Sequence, residues 1–149
     1  MRKAAVLLAL LLTAGAAQAQ LPGLRKRGPA QPTQPVLQGI DALRADFAAQ
    51  AGGTTVYYGA ESVILGAPAK AALALQAAWL RRHPEVVVRI EGYGDSLDTR
   101  DHALAVGAAR AEEARNYLLL LGVPAAQVST TSWGKERPGL GRAVTVLVR

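Results

Sequence analysis

Residues 89–121 constrain this chain more than any other stretch: R-I-E-G-Y-G-D, a short turn, then a helical run containing A-A-R-A-E-E-A-R-N-Y-L. An unbroken Val86-Val87-Val88 precedes it, so residues 85–91 read as a strand buried on both faces. A strand, a glycine-punctuated loop and a long helix form a unit that closes only by crossing over to a further strand. The unit delivers Asp95 to the mouth of the loop and Arg110 from the middle of the helix. Such a pair can grip a zwitterion, the acid facing an ammonium and the guanidinium forking onto a carboxylate. The competing reading is structural: Asp95 caps the loop, and Arg110 pairs with Asp101, Glu113 or Asp95 itself.

The flanking segments complete an alternating pattern. Leu37, Ile40, Leu43 and Phe47 recur at helical spacing, which predicts an amphipathic helix over residues 36–50, ended by Gly52-Gly53. Residues 54–58 are β-branched and aromatic, a strand by composition. Pro68 suits a first helical position, and residues 69–82 carry Leu73, Ala77 and Leu80 on one face before Pro84 stops the helix. The long helix is expected over residues 103–121, ended by Gly122 and Pro124, with Leu104, Ala111 and Leu118 covering the sheet. Residues 128–133 and 143–148 are two more strands joined by a short Gly/Pro-rich connection, the last facing the core with Val144, Val146 and Val148. The expected architecture is an α+β sandwich, a mixed four-stranded sheet with helices packed on a face.

The first residues set the compartment. Arg2 and Lys3 precede an apolar run over residues 4–12, and Ala17-Gln18-Ala19 is an A-x-A cleavage signature. Residues 1–19 are therefore expected to be a cleaved secretory signal, since the apolar run is short of the roughly 20 residues a membrane span needs. Residues 20–35 hold four prolines, two glycines and Arg25-Lys26-Arg27, the composition of a basic disordered linker. Residues 36–149 form the folded domain. No cysteine follows the apolar run, or occurs anywhere, which predicts an exported chain without a lipid anchor, thiolate catalysis or cysteine metal site.

Other chemistry finds little support. Nucleic acid is a poor partner for an exported chain whose net charge falls from +6 to +4 as Arg2 and Lys3 leave with the signal, and which has no basic stripe interleaved with aromatics. His83 and His102 lack a second ligand at metal spacing, so no metal or other cofactor is expected. Ser96, Ser129 and Ser132 lack a nucleophile signature, so no enzymatic activity is expected. Trp79 reads as core.

From Val56 onward the chain resembles the OmpA-like peptidoglycan-associated domain family of outer-membrane protein A, the Pal lipoprotein and flagellar stators. The resemblance rests on V-Y-Y, P-A-K-A-A-L-A-L-Q-A-A-W-L, P-E-V-V-V-R-I-E-G-Y-G-D, R-A-E-E-A-R-N-Y-L-L-L-L-G-V-P, S-W-G-K-E-R-P and G-R-A-V-T-V, in that order and spacing. It implies a sheet of order 1-4-2-3. It also implies non-enzymatic, non-covalent binding of the meso-diaminopimelate side chain of the Gram-negative peptidoglycan stem, in the periplasm. The family's ligand acid falls on Asp95 and its ligand base on Arg110. Where the family has N-x-x-L-S-x-x-R-A, this chain places Ala103, Val106, Gly107 and Arg110-Ala111, and Gly59 replaces an aspartate. With Tyr58, Tyr93, Gly94 and Thr99, these positions make the expected pocket lining. The alternative implied by the departures is a degenerate domain serving protein interaction or dimerisation in the envelope. Asp95→Ala and Arg110→Ala are each expected to remove binding and leave the fold intact.

Overall fold

The protein is described here from a computed structural model covering residues 39–137 and 141–149. The expected signal and linker, residues 1–35, and the start of the leading helix lie outside the described residues. Within them run α1 (Ile40–Gln50), β1 (Thr55–Tyr57), α2 (Ala67–Arg82), β2 (Val88–Tyr93), α3 (Arg100–Leu120), a 3₁₀ turn (Ala125–Gln127), β3 (Val128–Gly134) and β4 (Arg142–Leu147).

The sheet order is β1-β4-β2-β3, as the resemblance implies. The α3 crossover makes β2 and β3 parallel, with Val88 opposite Val128 and Ile90 opposite Thr130. Strand β4 arrives after a short connection and runs antiparallel to both neighbours, inserted between β1 and β2. No helix among the described residues is long and apolar enough to cross a membrane.

Local sequence explains the helix ends. Pro68 enters the first turn of α2, where a missing N–H costs nothing, and Arg81 and Arg82 sit in its last turn against the negative dipole end. The Thr99 hydroxyl caps α3 by accepting the His102 N–H at 3.3 Å. Gly122, at φ +90°, closes α3: its N–H donates to the Leu119 carbonyl and the Val123 N–H to the Leu118 carbonyl. That pair of bonds satisfies carbonyls a helix end would otherwise leave open.

The core lies between one sheet face and the helices. Val56, Val88, Ile90, Ala143 and Leu147 meet Leu73, Ala77, Trp79 and Leu80 of α2 and Ala111, Ala114 and Leu118 of α3, all buried. Trp79 is fully buried, its ring 5.0 Å from Phe47 and its indole N–H donating to Asp46 at 2.7 Å.

Four expectations shift. Of the three valines, Val86 and Val88 are fully buried but Val87 is half-buried, because β2 starts at Val88 and turns Arg89, Glu91 and Tyr93 to the other face. That face is nonetheless closed at Glu91, whose carboxylate accepts from Arg89 Nη2 at 2.7 Å and from the Tyr93 hydroxyl at 3.1 Å. In β4 the inward face is Ala143, Thr145 and Leu147, whereas Val144 and Val146 are half-buried and Val148 is exposed. The polar Thr145 turns inward because its hydroxyl donates to buried Gln76 Oε1 at 2.7 Å. Leu104 is half exposed, overhanging a cleft at the end of β3 beside Trp133, while Ala111 and Leu118 cover the sheet as expected. Finally, Gly92 and Tyr93 belong not to the glycine-punctuated loop expected after residue 91 but to the end of β2, with a register shift between them.

Candidate functional site

Asp95 and Arg110 come together because α3 is allowed to lie directly on the end of β2. A Cβ at Gly92 would stand 1.8 Å from the Gly107 carbonyl oxygen, and one at Gly94 2.4 Å from that of Ala103. No side chain fits either place. The glycines thus admit the helix backbone rather than a ligand. Gly107 belongs to the same contact: a Cβ there would meet Ser132 Oγ at 2.4 Å. The Ser132 hydroxyl fills that space and donates to the Leu104 carbonyl at 2.7 Å.

Arg110, fully buried, is brought by this packing against the last residue of β2 and the loop after β1. Its Nε–H donates to the Ser62 carbonyl at 2.8 Å, and Nη1 to the Tyr93 carbonyl at 2.8 Å and Asp95 Oδ1 at 3.2 Å. Nη2 donates to the Gly59 carbonyl at 3.2 Å and Asp95 Oδ2 at 3.3 Å. A guanidinium has five N–H groups, and all five are engaged within the chain. The helix backbone at Arg110 is held too, its carbonyl accepting the Tyr58 hydroxyl at 2.7 Å. Burial, with the nearby Glu113 charge, pushes the Tyr58 phenol up, so it remains a donor at any ordinary pH.

Asp95 sits outside this knot, its side chain 23% exposed. Its carboxylate also accepts the Glu61 N–H on Oδ2 at 2.8 Å. The Arg110 hydrogen bonds, then the Glu61 N–H, hold the Asp95 carboxyl below its ordinary value against an opposing effect of burial. It is therefore an anion at neutral pH. It lines an open cleft of about 280 Å³ with Ala60, Glu61, Ser96, Leu97 and Asp98.

The other expected pocket residues divide sharply. Tyr58, Tyr93, Gly94, Ala103, Val106 and Gly107 are buried, and Ala103 lies with its backbone against Gly94 and Gly134. They build the support of the site rather than its surface. Gly59 and Thr99 are exposed, the first giving its carbonyl to Arg110 and the second capping α3. Arg110 is thus a strut between loops, which corrects the expectation that Arg110→Ala leaves the fold intact. Truncating it strands one carboxylate and three carbonyls, a loss of about 3–5 kcal/mol by the usual cost of breaking a buried ion pair.

Sequence reasoning missed Glu61 and Ser62, which act through their main chains. Glu61 is the one non-glycine residue at positive φ, +51°, among the described residues, and that conformation turns its N–H onto Asp95. A side-chain pattern carries no signal of it. The histidines serve locally: His83 stacks on Trp79 at 3.9 Å, and His102 Nε2 lies 3.7 Å from Asp98. Among the described residues no group of three or more His, Asp or Glu is placed to hold a metal ion.

Comparison with known proteins places this geometry. The OmpA family model matches residues 57–144, which include both charged residues, all of β2 and β3, the last residue of β1 and the first half of β4. The chain is 40% identical over 86 residues to the peptidoglycan-associated lipoprotein of Agrobacterium fabrum, spanning 58% of this chain and 49% of that one. It is 34% identical over 138 residues to the peptidoglycan-associated lipoprotein of Mesorhizobium japonicum, covering 89% of this chain and 76% of its relative. The chain therefore spans about half the length of the first of these relatives and about three quarters of the second. The crystal structure of the peptidoglycan-associated lipoprotein from Burkholderia pseudomallei superposes with a TM-score of 0.62 at 32% identity, over 65% of this chain and 92% of that one. With the family model matched across more than half the chain and a relative 34% identical over 89% of it, this chain belongs to the OmpA family.

Proposed function

We propose that this protein is a non-enzymatic, cell-wall-binding module that holds the diaminopimelate-bearing peptide stem of peptidoglycan at the Asp95–Arg110 site. The observation that carries the reading is Asp95 itself, kept anionic by a buried guanidinium and presented at the mouth of a cleft. The relatives named for peptidoglycan association support the wall as the partner. The work of the site is recognition: the carboxylate offers a charge-assisted hydrogen bond to a side-chain ammonium. The compartment in this reading is the periplasm, reached through residues 1–19 as a signal. The relatives are named lipoproteins, but these 149 residues contain no cysteine to carry a thioether-linked lipid.

Sedimentation with purified diaminopimelate-type sacculi tests it. The wild-type protein should co-sediment, and Asp95→Ala should lose about tenfold or more in affinity, the worth of one charge-assisted hydrogen bond. A wild-type protein that ignores sacculi would leave the same fold as a protein-interaction module.

A further inference from the structure

We infer that the open edge of β1, with the groove between it and α2, docks an extended segment of a partner protein, uncharged and with an apolar side chain at its centre. The inference goes beyond wall binding and uses neither Asp95 nor Arg110.

The open edge follows from the register. The Thr145 N–H donates to the Thr54 carbonyl at 2.8 Å and the Tyr58 N–H to the Gly141 carbonyl at 2.7 Å, while Val56 stands opposite Ala143. Residues 54, 56 and 58 therefore turn their main-chain groups to β4. Strand alternation turns the N–H and C=O groups of Thr55 and Tyr57 the other way. Strand β1 ends the sheet, and among the described residues nothing bonds to those four groups. A row of two donors and two acceptors at strand spacing fits one ligand chemistry, another extended main chain.

The surroundings of the edge select the side chains. Beside it lies a groove of about 200 Å³, walled by β1 and by Gly66, Pro68, Ala69 and Ala72 at the start of α2. An added strand would lie about 4.8 Å from β1. Its residue opposite Val56 would point to the same face as Val56, over the small residues of α2, where a side chain of valine or leucine size fits. The flanking residues would fall beside the Tyr57 ring, which is 68% exposed on the other face. No charged side chain lines the groove, so a charge at the central position would lose water and gain no partner. A second copy is the poorer occupant. Two three-residue strands meet along only about 10 Å, far short of the roughly 1,600 Å² that a stable pair of proteins buries.

The uncharged peptide acetyl-Ser-Thr-Val-Thr-Ser-amide, titrated into the ¹⁵N-labelled protein, tests this. It should bind with a Kd of about 1 mM or tighter, shift the amides of Thr55, Tyr57, Ala69 and Ala72, and slow hydrogen exchange at Thr55 and Tyr57. Two N-methylated forms probe the strand pairing, one methylated on the valine nitrogen and the other on both threonine nitrogens. Alternate nitrogens of an added strand face β1, so one form should bind about tenfold or more weaker than the other. Equal affinities, shifts confined to other residues, or no shifts at about 5 mM peptide would overturn the inference. Tyr57→Pro removes one outward donor and leaves the ladder with β4 complete, so it should weaken the peptide about tenfold or more. Should Tyr57→Pro not fold, the methylated peptides decide on the wild-type protein. Protection of the Thr55 and Tyr57 amides that rises with protein concentration in the absence of peptide would make the occupant a second copy, and would overturn the choice of a foreign segment.

Discussion

At Asp95, a single carboxylate carries both charge and exposure, and the two have a measurable consequence. Its folded-state value is depressed, first by the Arg110 hydrogen bonds and then by the Glu61 N–H. A depressed carboxyl contributes stability that is fully present above its unfolded value of about 3.9 and is lost as pH falls through the lower folded value. Asp46, held down by the Trp79 indole N–H, titrates in the same direction. Asp95→Asn should therefore flatten, without abolishing, the fall in denaturation midpoint below about pH 4, while leaving the pH 6–8 plateau level. Denaturant melts across pH check this, and an unchanged acid limb would contradict the ion pair described here. The two charged residues were legible in the sequence because their side chains carry the chemistry. The closure of Arg110 was not, because three of its five acceptors are main-chain carbonyls brought in from distant positions by the fold.

Among the elements, the decisive contact is α3 on the end of β2, made by glycines at positions 92, 94 and 107. Gly92→Ala places a methyl 1.8 Å from the Gly107 carbonyl oxygen, against backbone that cannot turn away as a side chain would. The helix must lift, and overpacking of this kind costs about 1–3 kcal/mol or more. The variant should melt at a lower denaturant concentration and also lose wall binding, since lifting α3 draws Arg110 from its carbonyls. Equal stability and retained binding in sedimentation would show the helix is not seated as described. The strand and helix order was readable because apolar runs, prolines and glycines punctuate it. The facing of β4 was not, because Val144, Thr145 and Val146 are all β-branched and suit a strand on either side. The choice was made by Gln76, buried on α2 and able to accept the Thr145 hydroxyl.

For the whole molecule, one sheet and its helices form a rigid support that presents a small acidic cleft at one corner. The carbonyl of Gly59, the N–H of Glu61 and the carboxylate of Asp95 meet there because a mixed sheet of this order puts the end of β1 beside the end of β2, with β4 between. If residues 1–19 are a signal, N-terminal sequencing of the protein from its native envelope should begin at Gln20. A start at Met1 would remove the periplasmic wall as a partner. The central claim is that the peptide stem docks at Asp95. Chemical-shift mapping of the ¹⁵N-labelled domain against the L-Ala-γ-D-Glu-meso-diaminopimelate tripeptide tests it most directly. The account predicts perturbations clustered at the amides of Gly59, Glu61 and Ser62 and of Asp95, Ser96 and Asp98, and their loss in Asp95→Ala. Shifts centred instead on the apolar groove of Ile40, Leu43 and Val148, or none at all, would contradict it.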